Sequence, residues 1–217
     1  MDKEKFTGRR ICIIGYSGHA FVVIETLNAQ GFGVTAYCDV QEKPFNPYQL
    51  TYIGNETDNT VIKELKDSYL FFVTIGNNSI RKQVYDFLAG KQLKTVVATH
   101  PSAIVSGGIK IEAGTLIAGG AIVQAQTQIG KGVICNSGSI IEHECVIGDF
   151  AHIGPGAILC GNVHVGNGTL IGAGAVVNPG ITIGSNAIIG SGSVVIRNVP
   201  DFATVAGNPA REIKVTI

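Results

Sequence analysis

A period of six residues constrains this chain more than any other feature. Stepping by six from Ile111 meets Ile117, Val123, Ile129, Cys135, Ile141, Ile147, Ile153, Leu159, Val165, Ile171, Val177, Ile183, Ile189 and Val195. All are aliphatic except Cys135, a small apolar substitute. The next position is often glycine (Gly130, Gly148, Gly154, Gly166, Gly172, Gly184, Gly190), and two positions ahead stand small or β-branched residues such as Ala151, Ala157, Val163, Thr169, Ala175 and Ala187. A phase held this long predicts a solenoid. Each hexad reads as a short strand and a tight turn, with the aliphatic pointing inward and the glycine taking backbone angles other residues avoid. Three hexads close a triangular coil, and five such coils at a strand spacing of roughly 4.8 Å make a prism about 24 Å long. Each buried aliphatic contributes roughly 1.5–3 kcal/mol before chain entropy is subtracted. The period does not set the handedness.

The repeat begins where the composition changes. Thirteen of the 15 aromatic residues precede residue 100, whereas 20 of the 29 glycines lie between 101 and 199. Two domains and a tail are therefore expected: 1–100, 101–199, and a capping tail over 200–217. The first part alternates strand and helix. Ile11–Ile14, Val34–Cys38, Tyr69–Ile75 and Lys94–Thr99 read as strands. Ala20–Gln30 and a short stretch around Val61, Ile62 and Leu65 read as helices. A third helix follows Ser79, a plausible N-cap, with Ile80, Val84, Phe87 and Leu88 on one face. This alternation predicts an α/β domain with a small Rossmann-like parallel sheet.

The formal net charge is zero, which gives no electrostatic reason to expect nucleic acid or an anionic membrane as partner. There is no apolar run of 18 or more residues, and the opening MDKEKFTGRR lacks the apolar stretch of a secretory signal. The five cysteines are odd in number and form no CxxC pair, so reduced thiols in a cytoplasmic protein are expected and a cysteine-based zinc site is not.

Candidate chemistry concentrates in two places. His143 is flanked by Glu142 and Glu144, close to a stretch from Phe150 to Ile196 that carries no Asp, Glu, Lys or Arg. A histidine, with its ordinary pKa near 6.5, suits a general base, and either acid can orient its ring. Gly161 lies one full coil after His143, so its backbone N–H is a candidate oxyanion donor beside that ring. In the first domain, Gly15, Ser17, Gly18 and His19 form a turn between a strand and a helix, a setting that binds phosphate through free N–H groups. Asp39 ends the second strand, where such sheets contact ribose or base, and Asn77 follows the third.

The hexads resemble the left-handed β-helix of hexapeptide acyltransferases, and Val205–Arg211 resembles the segment that follows that prism. Gly15-Tyr16-Ser17-Gly18-His19-Ala20, Gly76-Asn77-Asn78 with Arg81, and Ile141–Gly148 resemble bacterial nucleotide-sugar N-acetyltransferases of the PglD type, relatives of perosamine N-acetyltransferases and sialic acid O-acetyltransferases. Ala20 and Val40 stand where close relatives carry Gly and Asp. The resemblance implies a homotrimer built through the prisms, with acetyl-CoA in a groove between neighbours and no metal. It implies a nucleotide-sugar, often UDP-linked, on the N-terminal domain, with the 4-amino group of a 4-amino-4,6-dideoxy sugar as acceptor. It favours Glu144 as the partner of His143, has His152 contact acetyl-CoA across the trimer interface, and sets backbone near Ala173 and Ser191 along the pantetheine. Arg197, Arg211 and Lys214 read as solvated charges, with CoA phosphates as the alternative. Three other readings stay open on the residues: a sialic acid O-acetyltransferase, a non-catalytic scaffold, and a metal hydratase using His143, His152 and His164.

Overall fold

In the computed structural model, which describes residues 10–213, the chain divides into two units between Val96 and Val97. The first unit is built on four parallel strands: β1 (Arg10–Ile14), β2 (Gly33–Cys38), β3 (Thr51–Tyr52) and β4 (Tyr69–Val73), in the order β3-β2-β1-β4. Three helices complete it, α1 (Gly18–Ala29), α2 (Asn59–Ser68) and α3 (Asn78–Gly90). All of β4 and four of the five residues of β1 are buried, as expected for central strands of a parallel sheet. The strand order reverses between β1 and β4. The turns that follow these two strands therefore flank the switch point where open α/β sheets hold their ligands.

Three local expectations are corrected here. Lys94–Thr99 is not one strand: Thr95 bridges to Phe71 beside β4, whereas Ala98–Thr99 pairs with Leu116–Ile117 in the second unit. The N-cap of α3 is Asn77 rather than Ser79, because the Asn77 Oδ1 accepts from the Ile80 N–H at 3.1 Å and from the Ser79 hydroxyl at 2.8 Å. The buried face of α3 is Arg81, Tyr85 and Leu88, while Ile80 and Phe87 are exposed. Apolar periodicity could not find that face, because its first member is a guanidinium that hydrogen-bonds inside the fold.

The second unit is a three-sided parallel β-helix of two-residue rungs. Equivalent rungs are 18 residues apart and pair in parallel, as Ile129 with Ile147 and Ile147 with Val165. One side carries outward Lys110, Gln128, Val146, His164 and Thr182 (the polar face). A second carries Leu116, Ile134, His152, Leu170 and Ile188 (the histidine face). The third carries Ile104, Ile122, Ile140, Ile158, Val176 and Val194 (the aliphatic face). The second residue of nearly every rung points into a continuous core with the small residues that precede the rungs. The coil begins ahead of Ile111, with rungs at Ala98–Thr99 and Ile104–Val105. At the other end, Thr204–Ala206 adds a rung only 16 residues after Ile188, and Arg211–Glu212 folds back antiparallel on it. The tail thus continues the helix before closing it.

The glycines divide into two kinds, and this changes the sequence reading. Those directly after the inward aliphatic are needed for close approach: a Cβ on Gly148 would stand 2.7 Å from the Asn167 nitrogen of the next coil, and one on Gly166 2.5 Å from that of Ser185. The left-handed backbone angles fall two residues later, at Gly132, Gly156 and Gly174 among others, and also at Glu144, Phe150, Asn162 and Asn186.

Candidate active site

Each corner of the prism stacks residues 18 apart, and His143 shares its corner with Gly161. The contact is direct: a Cβ on Gly161 would lie 2.5 Å from His143 Cε1 and 2.7 Å from its Nε2. The imidazole therefore covers the glycine, and a larger residue would displace it. Of the two flanking acids, Glu144 makes the bond, with Oε2 2.9 Å from His143 Nδ1. An ionised carboxylate only accepts, so Nδ1 carries the proton and the Nε2 lone pair is left for a substrate. Glu144 holds this position at φ 62°, in the left-handed turn site that glycine fills in most coils.

His152 lies on the histidine face, away from this corner. The sequence reading missed its neighbour Asn136, whose Nδ2 stands 3.1 Å from His152 Nε2. The Ser137 N–H donates to Asn136 Oδ1 at 2.8 Å, which turns the amide so that its NH₂ faces the ring. Asn136 thus donates to Nε2 and leaves the ring proton on Nδ1. The available signal was an Asn in the post-aliphatic slot where glycine recurs. Ala173 and Ser191 share the next corner, which joins the histidine face to the aliphatic face; His143 and Gly161 sit where the aliphatic face meets the polar one. The aliphatic face is therefore bounded by both groups. His164 is on the polar face, and among the described residues no three His, Cys, Asp or Glu side chains gather to hold a metal ion.

At the third corner, where the polar face meets the histidine face, the N–H groups of Lys131, Asp149 and Ser185 are taken up by side-chain oxygens of Asp149, Asn167 and Asp201 from the following coil. Among the described residues, none accepts from the N–H of Gly161, Ala173 or Ser191. Arg197 is exposed at the His143 corner, and Arg211 is exposed with its Nη1 donating to the Ala210 carbonyl at 2.9 Å. Lys214 lies outside the described residues.

In the first unit, the turn after β1 is tightly held. Gly15 has φ 89°, its N–H donates to the Cys38 carbonyl at 2.9 Å, and a Cβ there would stand 2.8 Å from Ile75 Cγ1. Thr74 donates its hydroxyl to the Ile14 carbonyl at 3.0 Å and bonds the Gly15 carbonyl as well. Asp39 serves this turn: Oδ2 accepts from the Tyr16 N–H at 2.9 Å, and Oδ1 accepts from the Val40 N–H and the Lys43 ammonium, both at 2.8 Å. Ser17 and Gly18 are exposed at the start of α1. His19, half-buried next to them, has its pKa lowered to about 4 by burial and by the nearby Arg81 charge, so it is neutral at physiological pH. Asn77 spends its carbonyl oxygen on the α3 cap, and the side chain is exposed.

Residues 10–88 match the family model of the PglD N-terminal domain, and residues 162–197 that of the bacterial transferase hexapeptide (six repeats). The acetyltransferase domain of PglB from Neisseria gonorrhoeae FA1090, solved with acetyl coenzyme A, is 34% identical, with a TM-score of 0.88 over 94% of this chain and 99% of that one. The chain belongs to the PglD-type hexapeptide-repeat acetyltransferases. With the family comes the left-handed sense of the coil. Another member, a histidine-to-asparagine mutant of perosamine N-acetyltransferase from Caulobacter crescentus, was solved with CoA and GDP-perosamine. It is also 34% identical, with a TM-score of 0.90 over 96% of this chain and 98% of that one. The UDP-N-acetylbacillosamine N-acetyltransferase of Bacillus subtilis (strain 168) is 40% identical over 110 residues, about half the length of each protein. Among the described residues, no helix is long and apolar enough to cross a membrane.

Proposed function

We propose that this protein transfers the acetyl group of acetyl-CoA to the 4-amino group of a nucleotide-linked 4-amino-4,6-dideoxy sugar, carried on UDP, in the cytoplasm. The observation that carries the reading is the His143–Glu144 pair seated over Gly161. His143 Nε2 takes the proton from the sugar amine as its nitrogen attacks the thioester carbon. The Gly161 N–H steadies the oxygen as it gains charge. The C–S bond then breaks, and the CoA sulfur leaves with a proton. Glu144 keeps the ring in its tautomer and stabilises the imidazolium. A base of this kind accelerates a reaction roughly 10²–10⁴-fold, and one oxyanion donor adds about 2.7–4 kcal/mol of barrier lowering.

The other half of the site comes from a neighbouring copy. The aliphatic face carries a column of Ile and Val, with Ile104 exposed and Ile122, Ile140, Ile158, Val176 and Val194 half-buried, that a lone chain would leave partly against water. Turning this face toward a three-fold axis makes its two bounding corners meet between adjacent prisms. His143 and Gly161 of one copy then face His152, Asn136, Ala173 and Ser191 of the next. The free N–H groups at Ala173 and Ser191 suit the amide oxygens of a pantetheine arm. Asp39, through the turn it holds, and Gly15, Ser17, Gly18, His19 and Asn77 form the edge that receives the nucleotide-sugar in the first unit. Relatives named for acetylation of UDP- and GDP-linked amino sugars support the substrate class.

The test is acetyl transfer from acetyl-CoA to a panel: UDP-linked 4-amino-4,6-dideoxy sugar, its dTDP-linked counterpart, GDP-perosamine and free sialic acid. Transfer to a nucleotide-linked amine, lost in His143→Ala, is the expected result. Transfer to sialic acid alone would replace the reading with O-acetylation, and no transfer at all would leave a scaffold.

A further inference from the structure

Arg81 is among the largest fully buried side chains of the described residues, at 1% exposure. It lies one turn into α3, and its guanidinium reaches back to the loop that joins β4 to that helix. Nη1 donates to the carbonyls of Ile75 at 3.1 Å and Gly76 at 3.0 Å, and Nη2 donates to Asn78 Oδ1 at 2.8 Å. One planar cation thus ties Ile75, Gly76 and Asn78 of one turn by its fixed fork of donors, which an ammonium cannot reproduce. The same turn touches the one after β1, since Ile75 packs against Gly15 and Thr74 bonds its carbonyl. The Arg81 charge is also felt by His19 in the first turn of α1. These two turns flank the reversal of strand order, where ligands of open α/β sheets bind.

We propose that Arg81 is a positioning residue for the nucleotide-sugar: it sets the Ile75–Asn78 turn against the Gly15 turn and leaves Asn77 at the rim to meet the substrate. A merely structural arginine would not need to spend its donors on the loop that borders the switch point. The proposal rests on the reading that this edge receives the nucleotide-sugar, and it assigns the shape of that edge to a residue buried beneath it. The charge adds to the effect, because a neutral His19 beside a permanent guanidinium keeps a single positive charge under the two turns, in reach of an anionic diphosphate by long-range attraction.

Full-length wild type, Arg81→Met and Arg81→Lys are compared by initial rates of CoA release. The UDP-linked 4-amino sugar and GDP-perosamine are varied at saturating acetyl-CoA, and acetyl-CoA is then varied in turn. In Arg81→Met the KM for the nucleotide-sugar rises at least about tenfold, the loss typical of a charged donor removed from buried acceptors. The KM for acetyl-CoA and kcat stay within about twofold, which marks the change as one of binding. Arg81→Lys, with charge but no fork, falls between. A KM for the nucleotide-sugar equal to wild type in Arg81→Met overturns the proposal, as does a rise shared equally by both substrates. If Arg81→Met lacks a cooperative melt, Asn78→Ala and Arg81→Lys read the same split at smaller amplitude, and an unchanged KM in both is equally fatal. Failure of wild type to bind either nucleotide-sugar by calorimetry overturns the parent reading, and this one with it.

Discussion

Replacing Gly161 by alanine tests the candidate site with one methyl group. The added Cβ would stand 2.5 Å from Cε1, 2.7 Å from Nε2 and 3.2 Å from Nδ1 of His143. Ordinary contact begins near 3.4 Å, so the ring must retreat by about 1 Å, a displacement that costs roughly 10²-fold in rate when it moves a catalytic group. That corresponds to about 2.7 kcal/mol of barrier. Folding has little reason to change. Gly161 is not in the left-handed region, so alanine fits its backbone. The side chain it displaces is 59% exposed and moves outward without touching the core. The stability change is therefore expected within about 0.5 kcal/mol. CoA release with a thiol-reactive dye gives kcat, and a thermal melt gives the stability. Gly148→Ala is the contrasting control. Its Cβ would meet the nitrogen of Asn167 at 2.7 Å, and backbone cannot yield as a side chain does. That variant should lose about 1–3 kcal/mol of stability while its folded fraction keeps its rate. Wild-type kcat in Gly161→Ala would refute the argument, since the base would then work from another position.

Other expectations follow from the same structure. His143→Ala should lower kcat roughly 10²–10⁴-fold, with the mass in light scattering unchanged from wild type. Glu144→Asn should lower kcat and raise the melting temperature, because Asn tolerates the φ of 62° better than Glu at a saving of up to about 1 kcal/mol. Ile140→Asp on the aliphatic face should break the proposed trimer into monomers in light scattering and abolish transfer, since the proposed site draws on two copies. His19 gives a pH dependence. Its folded pKa of about 4 lies below the ordinary 6.5, so the unfolded chain binds more protons between those values and stability falls as pH drops through that window. The loss by pH 4 is on the order of 2–3 kcal/mol; denaturant melts should show it in wild type and not in His19→Gln.

The period of six was enough to specify the prism, because each hexad must bury one aliphatic and a phase error would turn the whole set outward. It also put His143 and Gly161 side by side, since stacking at 18 residues follows from arithmetic alone. Asn136 escaped for the opposite reason: its partner is 16 residues on, and the contact depends on an amide rotated by the Ser137 N–H. The role of the glycines was misassigned because two kinds of crowding, a left-handed turn and the approach of the next coil, both select for a missing Cβ.

What the chain determined by itself is the repeat, the α/β alternation and the list of residues able to hold or move a proton. All of these are local or periodic, and can be read along one dimension. Which acid turns toward His143, which residue caps α3, and that a buried guanidinium shapes the Ile75–Asn78 turn were decided only in three dimensions. Such choices depend on hydrogen-bond angles and on which groups water can still reach, and neither is fixed until distant parts of the backbone have packed together.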